Sequence, residues 1–199
     1  MKIVCLDLEG VLVPEIWIAF AEATGLPELR RTTRDEPDYG KLMRYRLDIL
    51  AREKKNLQSI QDVIKTIKPF DGAKEFLDEL RRETQVVIIS DTFDRFATPL
   101  MCQLGWPTLF CNSLETDADG MVCGWKMRTE GGKLATVKAL QSIGFDTVAA
   151  GDSHNDLPMI RAGRAGFLFR TTPAIRSANP DIPAFETYSE LLQAIRNVK

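Results

Sequence analysis

Ile3-Val4-Cys5-Leu6-Asp7-Leu8-Glu9-Gly10-Val11 is the stretch whose reading decides the fold. Its apolar front half suits a central strand of a parallel sheet, because such strands are covered on both faces and need no polar alternation. The run ends on two carboxylates, Asp7 and Glu9, one residue apart and followed at once by Gly10. In open α/β sheets ligands bind outside the carboxyl ends of the strands. Two acids placed there repel one another unless a cation or a reaction employs them. A strand-end aspartate also serves as an ordinary turn or helix cap. The chemical reading is favoured by a second acidic cluster, Gly151-Asp152-Ser153-His154-Asn155-Asp156, which follows another apolar run at 147–150.

Working outward, strand-like runs occur at 2–8, 85–90, 108–111, 147–150 and 166–170, with helical patterns between them at 72–83, 93–104, 133–143 and 156–162. Strands alternating with helices argue for a doubly wound, Rossmann-like α/β fold, a parallel sheet with helices on both faces. A short strand at 184–187 and a helix at 189–197 close the pattern. Asp119-Gly120, between short alternating runs, marks a β-hairpin within 117–127. From Pro14 to Pro69 the alternation stops, and only helical stretches appear, at 16–24, 39–53 and 57–67. An insert entering beside the paired acids is expected to form a small helical cap over the sheet edge. The expected division is a core of 1–13 and 70–199 with a cap of 14–69.

Composition narrows the function classes. With 199 residues, 44% of them hydrophobic, the chain can bury a substantial core. A net charge of −2, with both signs dispersed, offers no basic stripe for nucleic acid. No run has the roughly 18 apolar residues of a membrane helix, and the chain enters its first strand without the layout of a signal peptide. Cys5, Cys102, Cys111 and Cys123 lack CxxC spacing and lie in or beside apolar segments, so buried free thiols are expected. These features suggest a soluble, cytoplasmic protein.

The chemistry-bearing residues cluster at strand ends. Carboxylates at Asp7 and Asp152, without nearby His or Cys partners, suit a hard cation such as Mg2+ better than zinc. His154 is expected to be a polar residue at a helix start. Ser90 offers a hydroxyl at a third strand end, and the N–H groups of Asp91 and Thr92 are expected to open the next helix and to face anions. Lys133, after Gly131-Gly132, can neutralise a phosphate, although a lone lysine is usually only solvated. No Walker motif is present.

Asp7-Leu8-Glu9-Gly10-Val11, Ser90, Lys133 and Gly151-Asp152-x-x-x-Asp156, in this order and spacing, resemble the four motifs of the haloacid dehalogenase superfamily of phosphotransferases. The resemblance spans nearly the whole chain. It implies that Asp7 attacks phosphorus to form an aspartyl-phosphate. It implies Mg2+ held by Asp7, the Glu9 carbonyl and Asp152, with Asp156 behind them. Ser90, Lys133 and backbone N–H groups would bind phosphoryl oxygens with help from Asn155, and Glu9 would act as general acid and then base.

Two departures from the usual pattern stand out. The chain has Asp-Leu-Glu where phosphatases of this superfamily have Asp-x-Asp, and Ser90-Asp91-Thr92 where phosphoserine phosphatases have Ser-Gly-Gly. Both resemble the phosphoserine:homoserine phosphotransferases of the phosphoserine phosphatase family, which implies O-phospho-L-serine as donor and water or L-homoserine as acceptor. Tyr39-x4-Arg44-Tyr45-Arg46-Leu47 is similar to the cap stretch of that family. It implies Arg46 as a clamp for the substrate carboxylate, with Arg44 as the fallback, and Glu15 as partner of the ammonium group. The competing expectations are a phosphatase for another small phosphate ester and a non-catalytic binding relative. The survival of Asp7, Asp152, Ser90 and Lys133 disfavours the second. Small-molecule substrates are the expected partners, and a homodimer is allowed for.

Overall fold

The computed structural model describes residues 1–32, 35–36 and 38–198. Seven strands, β1 (Lys2–Leu6), β2 (Gln85–Phe93), β3 (Leu109–Thr116), β4 (Val122–Lys126), β5 (Asp146–Gly151), β6 (Ala165–Phe169) and β7 (Ala184–Phe185), form one sheet in the order β4-β3-β2-β1-β5-β6-β7. Every pairing is parallel except β3 with β4. This is the expected doubly wound α/β architecture, with an antiparallel hairpin at one edge.

Strand alternation divides the core between the two faces of the sheet. Val4 and Leu6 of β1 pack with α4 (Ala73–Glu83), α5 (Asp94–Gln103) and α9 (Tyr188–Asn197). Ile3 and Cys5 pack with α6 (Gly132–Ser142), α7 (Leu157–Ala162) and α8 (Pro173–Ala178) on the other side. Burying each such aliphatic side chain contributes about 1.5–3 kcal/mol, so the register of β1 is strongly specified. That register places Cys5 beside Ala149 and Leu6 beside Ala150, and the Asp7 N–H continues the ladder to the Ala150 carbonyl at 3.0 Å. β1 and β5 thus deliver their carboxyl ends side by side.

Between β1 and α4 lie α1 (Ile16–Thr24), a 3-10 turn at Pro27–Arg30, α2 (Tyr39–Arg52) and α3 (Leu57–Ile64). Asp38 caps α2 by accepting from the Lys41 N–H, and Asn56 caps α3 by accepting from the Ser59 N–H. The segment's apolar faces, among them Phe20, Met43, Leu50 and Ile60, join the cluster on the α4–α5–α9 face. Its two ends are pinned together where the Phe70 N–H donates to the Leu12 carbonyl at 3.0 Å. A second tie joins it to the hairpin tip: the Leu57 N–H donates to the Gly120 carbonyl at 2.8 Å, beside an antiparallel bridge of Asn56 with Met121.

Several expectations are corrected. The second strand runs on through Ser90 to Phe93, so Asp91 and Thr92 do not open a helix; α5 begins at Asp94. The cause is tertiary pairing, since Phe93 pairs with Asn112 of a longer β3 across an irregularity in register. The hairpin is built from that longer β3 and from β4, with 117–121 as its turn. Of the four free cysteines only Cys5 is buried; Cys102 and Cys123 are exposed and Cys111 is intermediate. Cys123 lies on the edge strand β4, where the sheet leaves it uncovered. Burial pushes the Cys5 thiol up to about 12, which makes it inert. Among the described residues no helix is long and apolar enough to cross a membrane. Thr33, Arg34 and Pro37, within the expected cap, and Lys199 lie outside the described residues.

Gly166 gives a stability test away from the site. A Cβ there would stand 2.3 Å from the Ile160 carbonyl oxygen, against backbone that cannot swing aside. Gly166→Ala should destabilise the chain by about 2–3 kcal/mol, read as a lower urea midpoint at unchanged m-value. An unchanged midpoint would contradict this packing of α7 on β6.

Candidate active site

The chain leaves β1 at Asp7 and turns back sharply. The Leu12 and Val13 N–H groups donate to the Leu8 carbonyl at 2.8 and 3.1 Å, and the Gly10 N–H donates to the Val13 carbonyl at 2.8 Å. The turn needs Gly10 for two reasons. Its φ is +78°, and a Cβ would fall 2.4 Å from the Asp152 carboxylate carbon. Gly151 meets the same limit, since its Cβ would lie 2.3 Å from the Asp156 carboxylate carbon. Gly10 lets the acidic loops after β1 and β5 close on each other, and Gly151 lets Asp156 fold back onto the end of its own strand.

Oxygen atoms of Asp7, Asp152 and Asp156 all lie within 4.8 Å of one another. Lys133, at the start of α6, reaches between them. Its Nζ stands 2.7 Å from Asp7 Oδ1 and 2.6 Å from Asp156 Oδ1, and all three side chains are buried. The second Asp156 oxygen accepts from the Asp152 N–H at 3.1 Å, the Ser153 N–H at 3.0 Å and the Ser153 hydroxyl at 2.9 Å. The Asp152 carbonyl accepts from the Thr171 hydroxyl at 2.6 Å. His154 is exposed and opens the 3-10 turn His154–Asp156, the helix-start role expected for it.

One ammonium, paired with two of the three carboxylates, balances the charge of all three incompletely, and the protonation balance shows it. Burial first, then Asp156, pushes the Asp7 carboxyl well above its usual range against the opposing pull of Lys133. Burial and Asp156 push Asp152 up to about 7. Burial alone would lower the Lys133 ammonium, but Asp7 and Asp156 outweigh it and hold it above its usual value. A cation among the carboxylates reverses this balance. The all-oxygen donors, the excess negative charge and the close spacing together make a cluster fit for a metal ion, and hard oxygen ligands favour magnesium-type ions.

Glu9 reaches the N-terminus of α1, accepting from the Ile16 N–H at 2.8 Å. Burial, then Glu15, pushes its carboxyl up to about 7, opposed by that hydrogen bond and by Lys133 and Arg46. Glu15 is exposed at the N-cap of α1 and makes no capping bond. Its charge acts through space on Glu9, Arg46 and Asp152.

Ser90 and Thr92 are buried in β2, and the Thr92 N–H donates to the Ser90 hydroxyl oxygen at 3.2 Å. Asp91 accepts from the Asn155 amide at 2.9 Å, and its carbonyl accepts from the Asn112 amide at 2.8 Å. Asn155 is therefore engaged with Asp91. Asp91 also acts on Lys133 and on Tyr39. The structure thus joins the ends of β1, β2 and β5 with the start of α6.

Arg46 and Arg44 separate cleanly. Arg44 is exposed, whereas Arg46 is only 6% exposed on the apolar face of α2. The Arg46 Nη2 donates to the Arg31 carbonyl at 2.8 Å, and Nη1 stands 3.9 Å from the Met43 sulfur. Its Nε is buried and, among the described residues, has no hydrogen-bond partner. Burial lowers the guanidinium to about 10, with Tyr39, Glu9 and Glu15 opposing. Trp17, Asn112 and Thr171 were not singled out from sequence. Trp17 lies two residues after Glu15, but nothing in the local pattern signals that it covers Arg46.

A family model for haloacid dehalogenase-like hydrolases matches residues 1–164. Phosphoserine phosphatase ThrH of Pseudomonas aeruginosa is 51% identical over 191 residues, covering 96% of this chain and 93% of that protein. A phosphoserine phosphatase of Pseudomonas syringae pv. tomato is likewise 51% identical over 191 residues, covering 96% of this chain and 81% of that protein. The crystal structure of a phosphoserine phosphatase in its apo form superposes with a TM-score of 0.77 at 24% identity, covering 100% of this chain and 99% of that one, a likeness of fold. The family match takes in Asp7, Ser90, Lys133, Asp152 and Asp156, and the identity extends along nearly the whole length: the chain belongs to the haloacid dehalogenase-like hydrolases, within their phosphoserine phosphatase family.

Proposed function

We propose that this chain is a Mg2+-dependent phosphotransferase that takes the phosphoryl group of O-phospho-L-serine onto Asp7 and passes it to water or to L-homoserine. One observation carries the reading. Lys133 is paired with Asp7 at 2.7 Å in the acidic centre, and the inserted segment above β1 carries Arg46, buried, with an Nε that has no hydrogen-bond partner among the described residues. A ligand with a phosphate at one end and a carboxylate at the other matches those two groups. The two relatives named phosphoserine phosphatase, each 51% identical, support the same substrate.

In this reading Asp7 and Asp152, with the Glu9 carbonyl, hold the metal, and Asp156 braces Lys133 behind them. When bound, the ion supplies positive charge that lets carboxylate and phosphate approach and stabilises charge on the phosphoryl oxygens. An Asp7 oxygen bonds to phosphorus as the phosphorus–oxygen bond to serine breaks, and Glu9 gives its proton to the departing serine oxygen. In the second step Glu9 takes the proton from the acceptor hydroxyl as that oxygen bonds to phosphorus and frees Asp7. Lys133 and the Ser90 hydroxyl hold phosphoryl oxygens, with Thr92 shaping the Ser90 side. Asp91, tied to Asn155, borders the acceptor space.

Arg46 clamps the substrate carboxylate, a task suited to a planar guanidinium, and Glu15 takes the ammonium group. Residues 14–69 act as the cap and residues 1–13 and 70–199 as the core. Homoserine exceeds serine by one methylene, which a pocket discriminates by only about 1–3 kcal/mol, so one site can take both amino acids.

The test is turnover of O-phospho-L-serine with Mg2+, with and without homoserine, measuring free phosphate and phosphohomoserine separately. Mg2+-restored turnover after chelation is expected, with phosphohomoserine formed at the expense of free phosphate; free phosphate alone would limit the activity to hydrolysis. Asp7→Asn should lower kcat by at least three orders of magnitude, on the scale of losing a reacting group, with an unchanged near-ultraviolet circular dichroism spectrum; near-normal turnover would remove Asp7 as nucleophile. Arg46→Ala should raise KM for phosphoserine at least tenfold more than for O-phosphoethanolamine, which lacks the carboxylate, in line with the roughly 1.5–3 kcal/mol of a charged hydrogen bond. Equal effects on both would dismiss the clamp.

A further inference from the structure

The Arg46 guanidinium is compensated in an unusual way. It is buried, yet among the described residues no carboxylate lies within 4.0 Å of it, and Glu9 and Glu15 act on it only through space. Instead its central carbon sits 4.5 Å from the centre of the Trp17 ring. Trp17 meets Phe96 edge-on at 5.3 Å and 70°, and Phe96 meets Phe93 edge-on at 6.0 Å and 83°. Phe93 ends β2, three residues beyond Ser90. An aromatic chain therefore runs from the guanidinium on α2, through α1 and α5, to the strand that carries Ser90.

The chemistry of the ring explains why an aromatic serves here better than an acid. A buried carboxylate would accept from the guanidinium fork and fill the donors that a ligand needs. An indole face attracts the cation through its quadrupole and accepts none of the in-plane N–H groups. One Nη2 hydrogen is spent on the Arg31 carbonyl, while Nε has no hydrogen-bond partner and Nη1 has only the long contact to the Met43 sulfur. The cation is held in place with donors to spare.

We propose that Trp17 is the positioning residue for the substrate carboxylate. It fixes the plane of Arg46 without consuming the N–H groups that bind the ligand, and through Phe96 and Phe93 it keeps that clamp in register with the phosphate end. This inference rests on the reading of Arg46 as the clamp.

The experiment is a double-mutant cycle of Trp17→Leu and Arg46→Ala, with Trp17→Phe as the conservative variant, on O-phospho-L-serine and O-phosphoethanolamine. Trp17→Leu should raise KM for phosphoserine about ten- to thirtyfold, the scale of a desolvated cation–π contact, with kcat within about twofold and KM for phosphoethanolamine nearly unchanged. Trp17→Phe, which keeps a ring against Phe96, should recover most of the loss and guards against a folding defect. In the Arg46→Ala background Trp17→Leu should add nothing. Equal KM increases for both substrates, or additive effects in the double variant, would overturn the positioning role while leaving the clamp in place. If Arg46→Ala itself fails to distinguish the substrates, the clamp falls, and the role of Trp17 falls with it.

Discussion

Three carboxylates gathered around one ammonium, two of them paired with it, form at the carboxyl edge of the sheet the constraint on which the rest of this structure depends. Moving such charges out of water costs several kcal/mol per ion unless each finds partners. Asp156 finds four, Lys133 and three donors from its own loop, and Lys133 is gripped from both sides. The arrangement requires β1 and β5 to be neighbours, α6 to begin beneath their ends, and Gly10 where the two loops touch. The hydrophobic register of β1 supplies the first condition, which ties the chemistry directly to the burial of Val4 and Leu6 on one face and Ile3 and Cys5 on the other.

Much of this was legible in the chain before any fold was known. The apolar run into Asp7, the second run into Asp152 and the alternation of strand and helix all follow from local pattern. They lead to the sheet and to its acidic edge. What was not legible depends on distant pairing. Ser90-Asp91-Thr92 has the composition of a helix start, yet β3 recruits it into a strand because Phe93 finds Asn112. Trp17 and Arg46 meet across two helices, and no periodicity links them. The exposure of Cys102 and Cys123 follows from their place on the outer side of α5 and on an edge strand, which composition does not report.

The helical segment contributes something the sheet edge lacks. The acid–lysine centre is rich in partners, whereas Arg46 is buried with donors to spare. Unsatisfied buried polar groups cost stability and are rare in folded proteins, so a ligand that fills the vacant Nε donor gains in proportion. The partner-rich centre and the partner-poor guanidinium are thus supplied by different elements, the sheet edge and α2.

The hydrogen bond of Leu57 to the hairpin tip changes what the inserted segment can do mechanically. An insertion held only by its stem, where Phe70 meets Leu12, is free to lift away in any direction. Here the second tie, to Gly120, lies far along the chain from the first. Two more bonds, from the Gln61 amide to the Arg95 carbonyl at 2.8 Å and from the Gln103 amide to the Ile67 carbonyl at 2.9 Å, hold the segment against α5. The β3–β4 hairpin is thus one of several anchors, and lifting the segment off the sheet breaks all of them together. Because β3 also carries Asn112, which holds the Asp91 carbonyl, the hairpin anchor is fastened to the strand beside Ser90.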